Sequence, residues 1–82
     1  MVSVVFLDKF REIFSKIKDN SFKQKVITQI KKIRVNPEVG KPMRNVRKGT
    51  RELYVGSYRL SYEYFKDRDV VYILDLYHKD EQ

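Results

Sequence analysis

A chain of 82 residues without cysteine excludes disulfide bonds and thiolate metal sites. Its formal net charge of +7 indicates an anionic partner such as nucleic acid, anionic lipid or an acidic protein. Residues 1–7 are largely apolar, but Asp8 and Lys9 end this run well short of a signal peptide or membrane span. We therefore expect one cytoplasmic domain, residues 1–82, with no membrane partner.

The N-terminal half of the sequence predicts a strand and two helices. Residues 3–7 are typical of a short strand, and apolar side chains at helical spacing follow Asp8, which is expected to cap the first helix. Residues 18–21 interrupt this spacing with good cap residues, and a second helix follows. Asn36 and Pro37 should end it, because proline disfavours the helical conformation of the residue before it.

The C-terminal half predicts an extended basic loop, residues 38–50, and three strands at about 51–56, 57–66 and 69–78. These elements predict an α+β domain, in which an N-terminal strand and a helical hairpin (residues 8–35) pack on a mostly antiparallel four-stranded sheet. The side chains expected in the core are Phe10, Phe14, Ile17, Val26, Ile30, Leu53, Leu60, Tyr62, Ile73 and Leu74.

Alternation along the predicted strands separates two faces of the sheet. Arg59 lies on the open face, away from the helices, together with Glu52, Tyr54 and Ser61. This arginine has two interpretations. It could bind another molecule, or it could form a cross-strand ion pair with Glu52 or Glu63, worth well under about 1 kcal/mol if exposed.

The last predicted strand is nearly all apolar, which indicates a central position in the sheet. Asp75 interrupts it and His78 ends it. A lone histidine near a strand end is more often a surface residue than a catalyst. One histidine and no cysteine supply too few ligands for a metal site, and the chain has no phosphate loop or dinucleotide fingerprint. We therefore expect neither a metal nor a cofactor.

Three motifs, in this order along the chain, resemble the RelE/ParE superfamily of toxins from type II toxin–antitoxin systems. They read NPEVGKPM at residues 36–43, ELYVGSYRLSYEY at residues 52–64 and VVYILDLYHKDE at residues 70–81. The resemblance covers essentially the whole chain. It implies a RelE-like, metal-independent endoribonuclease that cleaves mRNA on the ribosome and inhibits translation. The implied partners are a cognate antitoxin protein, mRNA and the ribosome, without a small-molecule cofactor.

The resemblance also places functional residues. The implied catalytic residues are Arg59, His78 and Lys79. The residues expected to bind RNA are Lys41, Arg44, Arg47, Lys48, Arg51 and Tyr54. RNA cleavage without metal requires an activated 2′-hydroxyl, a stabilised phosphorane and a protonated 5′-oxygen. Arginine suits the second task because its planar fork matches phosphate oxygens, and histidine, lysine or tyrosine can exchange the protons.

Two positions depart from the pattern of the ribonucleases in this superfamily. Glu52 and Tyr54 stand where many of those members carry lysine or arginine. This leaves open a ParE-like toxin, which shares the fold but inhibits DNA gyrase and is not a nuclease. A catalytically degenerate RNA-binding member, or a non-catalytic nucleic-acid-binding module, would also be compatible with the charge.

Overall fold

A computed structural model describes residues 1–45 and 47–81 and confirms the α+β architecture. The elements in chain order are β1 (Ser3–Phe6), α1 (Asp8–Ser15), α2 (Asn20–Val35), β2 (Lys41–Pro42), β3 (Arg51–Val55), β4 (Tyr58–Phe65) and β5 (Val70–His78). Short 3₁₀ turns follow β4 and β5. The strand order in the sheet is β1-β5-β4-β3-β2. β1 runs parallel to β5, and every other pairing is antiparallel.

The sheet has five strands rather than the four predicted. Part of the expected loop forms β2, in which Lys41 pairs with Glu52 and Pro42 pairs with Arg51. A two-residue strand is too short to show alternation in the sequence. Its proline has no N–H group to donate and is tolerated because β2 lies at the edge of the sheet.

The two helices begin differently. A cap for α2 was predicted within residues 18–21, and Asp19 provides it. Its carboxylate accepts hydrogen bonds from the N–H groups of Ser21 and Phe22 at 2.9 and 3.2 Å. The prediction that Asp8 caps the first helix is wrong. Asp8 is the first residue of α1, and Leu7 precedes it without a side-chain cap. The carboxylate of Asp8 still lies where the helix dipole favours negative charge. α2 ends, as predicted, at the Asn-Pro pair.

The core lies between the helices and one face of the sheet. The predicted core residues that are buried are Phe10, Val26, Leu60, Tyr62 and Ile73. Those that are partly buried and pack against this core are Phe14, Ile17, Ile30 and Leu53. Leu74 is not part of the core. Tyr62 pairs with Ile73 while Ser61 pairs with Asp75, so Leu74 is the extra residue of a β-bulge.

Tyr62 fastens β4 to the segment that follows α2. Its hydroxyl donates a hydrogen bond to the carbonyl of Pro37 and accepts one from the N–H group of Gly40, both at 2.8 Å. Burial raises the pKa of the Tyr62 hydroxyl. A Cβ atom on Gly40 would lie 2.7 Å from this hydroxyl, so only glycine fits here without a shift of the ring. The entry into β2 is therefore fixed against the core.

Replacing Tyr62 by phenylalanine tests this connection. We expect Tyr62→Phe to lower the free energy of unfolding by about 1–3 kcal/mol, because the Gly40 N–H group loses its partner in an enclosed site. Urea denaturation measures the loss. Tyr64 packs on the same face of β4, and its hydroxyl has no hydrogen bond within residues 1–45 and 47–81. Tyr64→Phe should therefore change stability by less than about 0.5 kcal/mol; equal losses in both variants would contradict the prediction.

Candidate nucleic-acid interface

Arg59 lies on the open face of the sheet, as the alternation predicted, and it stacks on a tyrosine. It pairs with Tyr54 of β3 on one side and with Tyr77 of β5 on the other. Its guanidinium carbon is 3.9 Å from the centre of the Tyr54 ring. Its Nη1 atom donates hydrogen bonds to the carbonyls of Tyr58 and Gly56 at 3.0 and 3.4 Å. The ring and the backbone together fix the plane of the guanidinium group.

A cleft of about 830 Å³ opens beside this stacked pair. Its lining residues are Lys41, Pro42, Met43, Arg44, Asn45, Glu52, Tyr54 and Arg59. Three of these residues are cations and one is a carboxylate, so the cleft carries net positive charge. The Tyr54 side chain at its wall is 56% exposed and presents both a ring and a hydroxyl to solvent. The cleft therefore offers cations and an aromatic surface to the same ligand.

A row of buried polar side chains crosses the sheet next to the cleft. Glu52 pairs with Ser61, and Ser61 pairs with Asp75. All three residues are at most 4% exposed. Within the described part of the chain, Glu52 Oε2 and Ser61 Oγ have no hydrogen-bond partner. Unpaired polar atoms are costly to bury, so their presence in the middle of the open face is typical of a functional surface rather than of a packed core.

Asp75 is held by cations from two different elements. Its Oδ2 atom is 3.1 Å from Lys9 Nζ at the start of α1 and 3.5 Å from Arg47 Nη1 in the loop between β2 and β3. Its Oδ1 atom accepts a hydrogen bond from the N–H group of Leu76 at 2.8 Å. The Arg47 guanidinium also lies 4.2 Å from the centre of the Tyr77 ring. These contacts fold the basic loop over the open face. The sequence indicated Asp75 only as a break in an apolar strand and did not single out Tyr77.

The structure brings together only part of the predicted RNA-binding set. Those that line the cleft with Arg59 are Lys41, Arg44 and Tyr54. Arg51 does not line it, because alternation in β3 places this residue with Leu53 on the helix side. Its Nη1 atom donates hydrogen bonds to the carbonyls of Gly40 at 2.8 Å and Glu38 at 3.1 Å. Arg51 therefore fastens the entry of β2, which is a structural task.

His78 and Arg59 lie on opposite faces of the sheet. His78 pairs with Tyr58, the residue next to Arg59, and consecutive residues of a strand point in opposite directions. The His78 and Tyr58 rings meet edge to face with centroids 5.3 Å apart, and Tyr58 in turn contacts Phe22 of α2 at 5.0 Å. The structure therefore does not place the imidazole beside the guanidinium of Arg59.

Lys79 and Lys48 are exposed at two edges of the open face. Lys79 begins the turn after β5, and its N–H group donates a hydrogen bond to the carbonyl of Ser57 at 2.9 Å. This bond continues the β4–β5 pairing two residues beyond Arg59, so Lys79 lies at the same end of the sheet as that arginine. Lys48 lies in the turn after Arg47 and makes no ion pair with any residue that the structure describes.

A second surface lies on the other side of the molecule, between β1 and the two helices. It is a groove of about 740 Å³ with an apolar floor that includes Phe6, which is 40% exposed. Arg11, Lys31 and Arg34 line its rim.

Nowhere in residues 1–45 and 47–81 do three side chains of the metal-binding types gather into a site. No helix of that part of the chain is long and apolar enough to span a membrane.

Comparisons with solved structures define the class of protein to which this fold belongs. A chain of the toxin–antitoxin complex RelBE2 from Mycobacterium tuberculosis matches with a TM-score of 0.81 and 28% identity, over 94% of this chain and 96% of that chain. A chain of the intact Escherichia coli RelBE toxin–antitoxin complex matches with a TM-score of 0.81 and 12% identity, over 95% of this chain and 96% of that chain. A chain of the archaeal RelE–RelB complex from Pyrococcus horikoshii matches with a TM-score of 0.78 and 14% identity, over 99% of this chain and 98% of that chain. The fold is that of the type II toxins.

The family model of the ParE toxin of type II toxin–antitoxin systems, parDE, matches residues 2–82. The chain therefore belongs to the ParE toxin family, and the predicted resemblance to the RelE/ParE superfamily is confirmed. A comparison with curated protein sequences found no significant match.

Two arginines allow the assignment of the faces to be tested. We expect Arg51→Ala to lower the free energy of unfolding by about 1 kcal/mol, because two hydrogen bonds to backbone carbonyls are lost, and to leave RNA affinity unchanged. Arg44→Ala should change stability by less than about 0.5 kcal/mol. It should weaken binding of a single-stranded oligoribonucleotide and reduce the slope of log K against log salt by about 0.7. Thermal unfolding and fluorescence anisotropy measure the two effects. Equal loss of RNA affinity in both variants would show that Arg51 faces the ligand.

Proposed function

We propose that this toxin is a metal-independent endoribonuclease that cleaves mRNA on the ribosome and so inhibits translation. The observation that carries the proposal is the stacked pair of Tyr54 and Arg59 at the wall of a cationic cleft. A guanidinium group held in a fixed plane matches phosphate oxygens and keeps its charge. An exposed aromatic ring can stack on an unpaired base. The cleft thus offers a cation to the phosphate group of an RNA strand and an aromatic ring to its base.

In the proposed reaction the ribose 2′-hydroxyl attacks the adjacent phosphorus and the 5′-oxygen of the next nucleotide leaves. The products are a 2′,3′-cyclic phosphate and a 5′-hydroxyl end. Arg59 stabilises the negative charge that develops on the phosphorane. The proton lost by the 2′-hydroxyl and the proton gained by the 5′-oxygen pass through side chains near that arginine. We assign these transfers to Tyr54 and Lys79 rather than to His78, because the imidazole packs against Tyr58 on the helix side.

A toxin that inhibits DNA gyrase without nuclease activity is the second candidate function, and Glu52 favours it. This carboxylate is 4% exposed and forms part of the cleft wall, on the same strand and the same face as Tyr54. A negative charge there opposes the approach of a phosphate to Arg59, and the opposition is stronger where water is excluded. In this alternative the stacked pair contacts a protein partner, and no RNA is cut.

Arg59→Ala tests the proposed reaction. Removing one preorganised donor from the transition state should lower mRNA cleavage by a factor of about 10² or more. The free energy of unfolding should change by less than about 1 kcal/mol, because the cation–π contact is partly exposed and water can replace the two exposed hydrogen bonds to carbonyls. Primer extension on ribosome-bound mRNA and thermal unfolding provide the two measurements.

Lys16→Ala is the control for this experiment. Lys16 is an exposed cation on the first helical segment, paired only with Glu12 at 3.2 Å within the described residues. The Lys16→Ala variant should cleave mRNA at the same rate as the unchanged chain. Normal cleavage by Arg59→Ala would contradict the proposed active site. If the unchanged chain leaves mRNA intact but inhibits DNA supercoiling, the gyrase alternative is supported. If it neither cleaves mRNA nor inhibits supercoiling, the chain is a degenerate RNA-binding member.

We also propose that a cognate antitoxin binds this chain through an acidic amphipathic segment. The groove between β1 and the helices supports this proposal, because its floor is apolar and its rim carries Arg11, Lys31 and Arg34. A segment that folds as it binds can cover such a groove with one apolar face and place carboxylates against the rim.

Salt and rim charges should therefore both control this association. We expect the double variant Lys31→Ala/Arg34→Ala to bind the antitoxin encoded with the toxin at least about tenfold more weakly at low salt. The difference from the unchanged chain should shrink as salt rises, since rim charges are screened. Lys16→Ala should bind normally. Surface plasmon resonance at several salt concentrations measures the affinities, and a salt-independent affinity would contradict this binding mode.

A further inference from the structure

We infer, on the basis of the proposed function of the cleft, that Asp75 is a positioning residue. It locks the basic segment formed by residues 43–45 and 47–50 over the open face, and so holds the cationic wall of the cleft in place. Asp75 need not touch RNA for this role. It acts through the arginine that its carboxylate holds.

The lock is a buried carboxylate between two surface cations. The Asp75 side chain is 6% exposed, whereas those of Lys9 and Arg47 are 69% and 31% exposed. A carboxylate so deprived of water requires opposite charge or hydrogen bonds nearby. Lys9 and Arg47 both approach the same oxygen atom, one from α1 and the other from the loop. The need to compensate this one charge therefore joins two separate parts of the chain.

The basic segment is closed on itself and fastened to the sheet at Arg47. The N–H group and the hydroxyl of Thr50 both donate hydrogen bonds to the Arg47 carbonyl, at 3.1 and 2.6 Å, and the Met43 N–H group donates to the Thr50 carbonyl at 3.0 Å. Arg47 has a φ of 62°, which is unfavourable for a residue with a side chain. Its contacts with Asp75 and with the ring of Tyr77 contribute to offsetting this conformation, together with the two hydrogen bonds to its carbonyl.

Release of Arg47 would change the cleft, because the same segment carries its outer wall. Met43 and Arg44 line the cleft together with Arg59, and Met43 is hydrogen-bonded to the segment's other end. When Asp75 no longer holds Arg47, the distance between Arg44 and Arg59 is no longer fixed. Two cations that line one cleft would then move independently of each other, and affinity would fall through lost preorganisation of the segment.

Asp75→Asn separates positioning from electrostatics by the sign of its effect. The substitution keeps the shape of the side chain and removes one negative charge from a basic surface. General electrostatics alone would then strengthen RNA binding. Positioning predicts the opposite, an affinity for a single-stranded oligoribonucleotide that is at least about threefold weaker. Fluorescence anisotropy with a labelled oligoribonucleotide measures the change.

Trypsin measures the release of the segment without any RNA. Arg44, Arg47 and Lys48 are cleavage sites within it. Cleavage there should be at least about fivefold faster in Asp75→Asn, because the locally opened state is more populated. Lys9→Ala should accelerate it by about twofold, since that cation is more exposed. Lys16→Ala, which removes another exposed lysine and tryptic site from the helical hairpin, should leave the rate unchanged.

Each outcome of these two measurements decides a point. Unchanged cleavage by trypsin in both Asp75→Asn and Lys9→Ala, or tighter RNA binding by Asp75→Asn, overturns the inference. Faster cleavage with weaker RNA binding supports it. If trypsin cleaves Asp75→Asn faster but the unchanged chain itself binds no RNA, the positioning role of Asp75 is supported and the proposed function is contradicted. If Asp75→Asn fails to fold, Lys9→Ala carries the test, because its side chain lies on the surface.

Discussion

A single extra residue in β5 decides which side chains reach the open face of the sheet. Val71 and Ile73, which precede the bulge in β5, face the helices. Uninterrupted alternation would turn Asp75 into the same apolar core and leave Leu76 outside. The bulge at Leu74 reverses the phase, so that the leucine enters the core at 3% exposure and the aspartate reaches the open face. The pairing of Ser61 with Asp75, and with it the contact of α1 with the basic loop, depends on this reversal.

The same phase change accounts for the separation of the two residues that the superfamily resemblance brought together. With unbroken alternation, His78 would share a face with Tyr72, which is the open face. The bulge moves the imidazole to the helix side, where it contacts Tyr58, and places Tyr77 beside Arg59. The open face therefore holds an arginine between two tyrosines, with buried carboxylates in the next row. Its chemistry differs from the purely cationic surface that a net charge of +7 suggests.

The sequence was informative wherever a rule acts over a few neighbouring residues. The Asp19 cap, the Asn-Pro helix end and the strand alternation around Arg59 all follow from such rules, and each is present in the structure. The bulge was not predicted from the sequence. Asp75 was its one signal, because unbroken alternation with Val71 and Ile73 would bury this carboxylate in the apolar core, but the apolar residues on either side do not show at which residue the phase changes. Arg51 could have been placed correctly, since it shares its strand face with Leu53. The pairing that creates β2 depends on tertiary contacts of Tyr62, which no local pattern shows.

The parallel pairing of β1 with β5 has a consequence for how the molecule is made. The first strand of the chain finds its hydrogen-bonding partner only in the last one, and β5 is also the neighbour of β4. During synthesis α1 therefore precedes β5, against which it packs, by most of the chain. Contacts between distant parts of a chain form slowly, because a long loop must close first. The toxin acquires its complete sheet only after β5 has left the ribosome that made it.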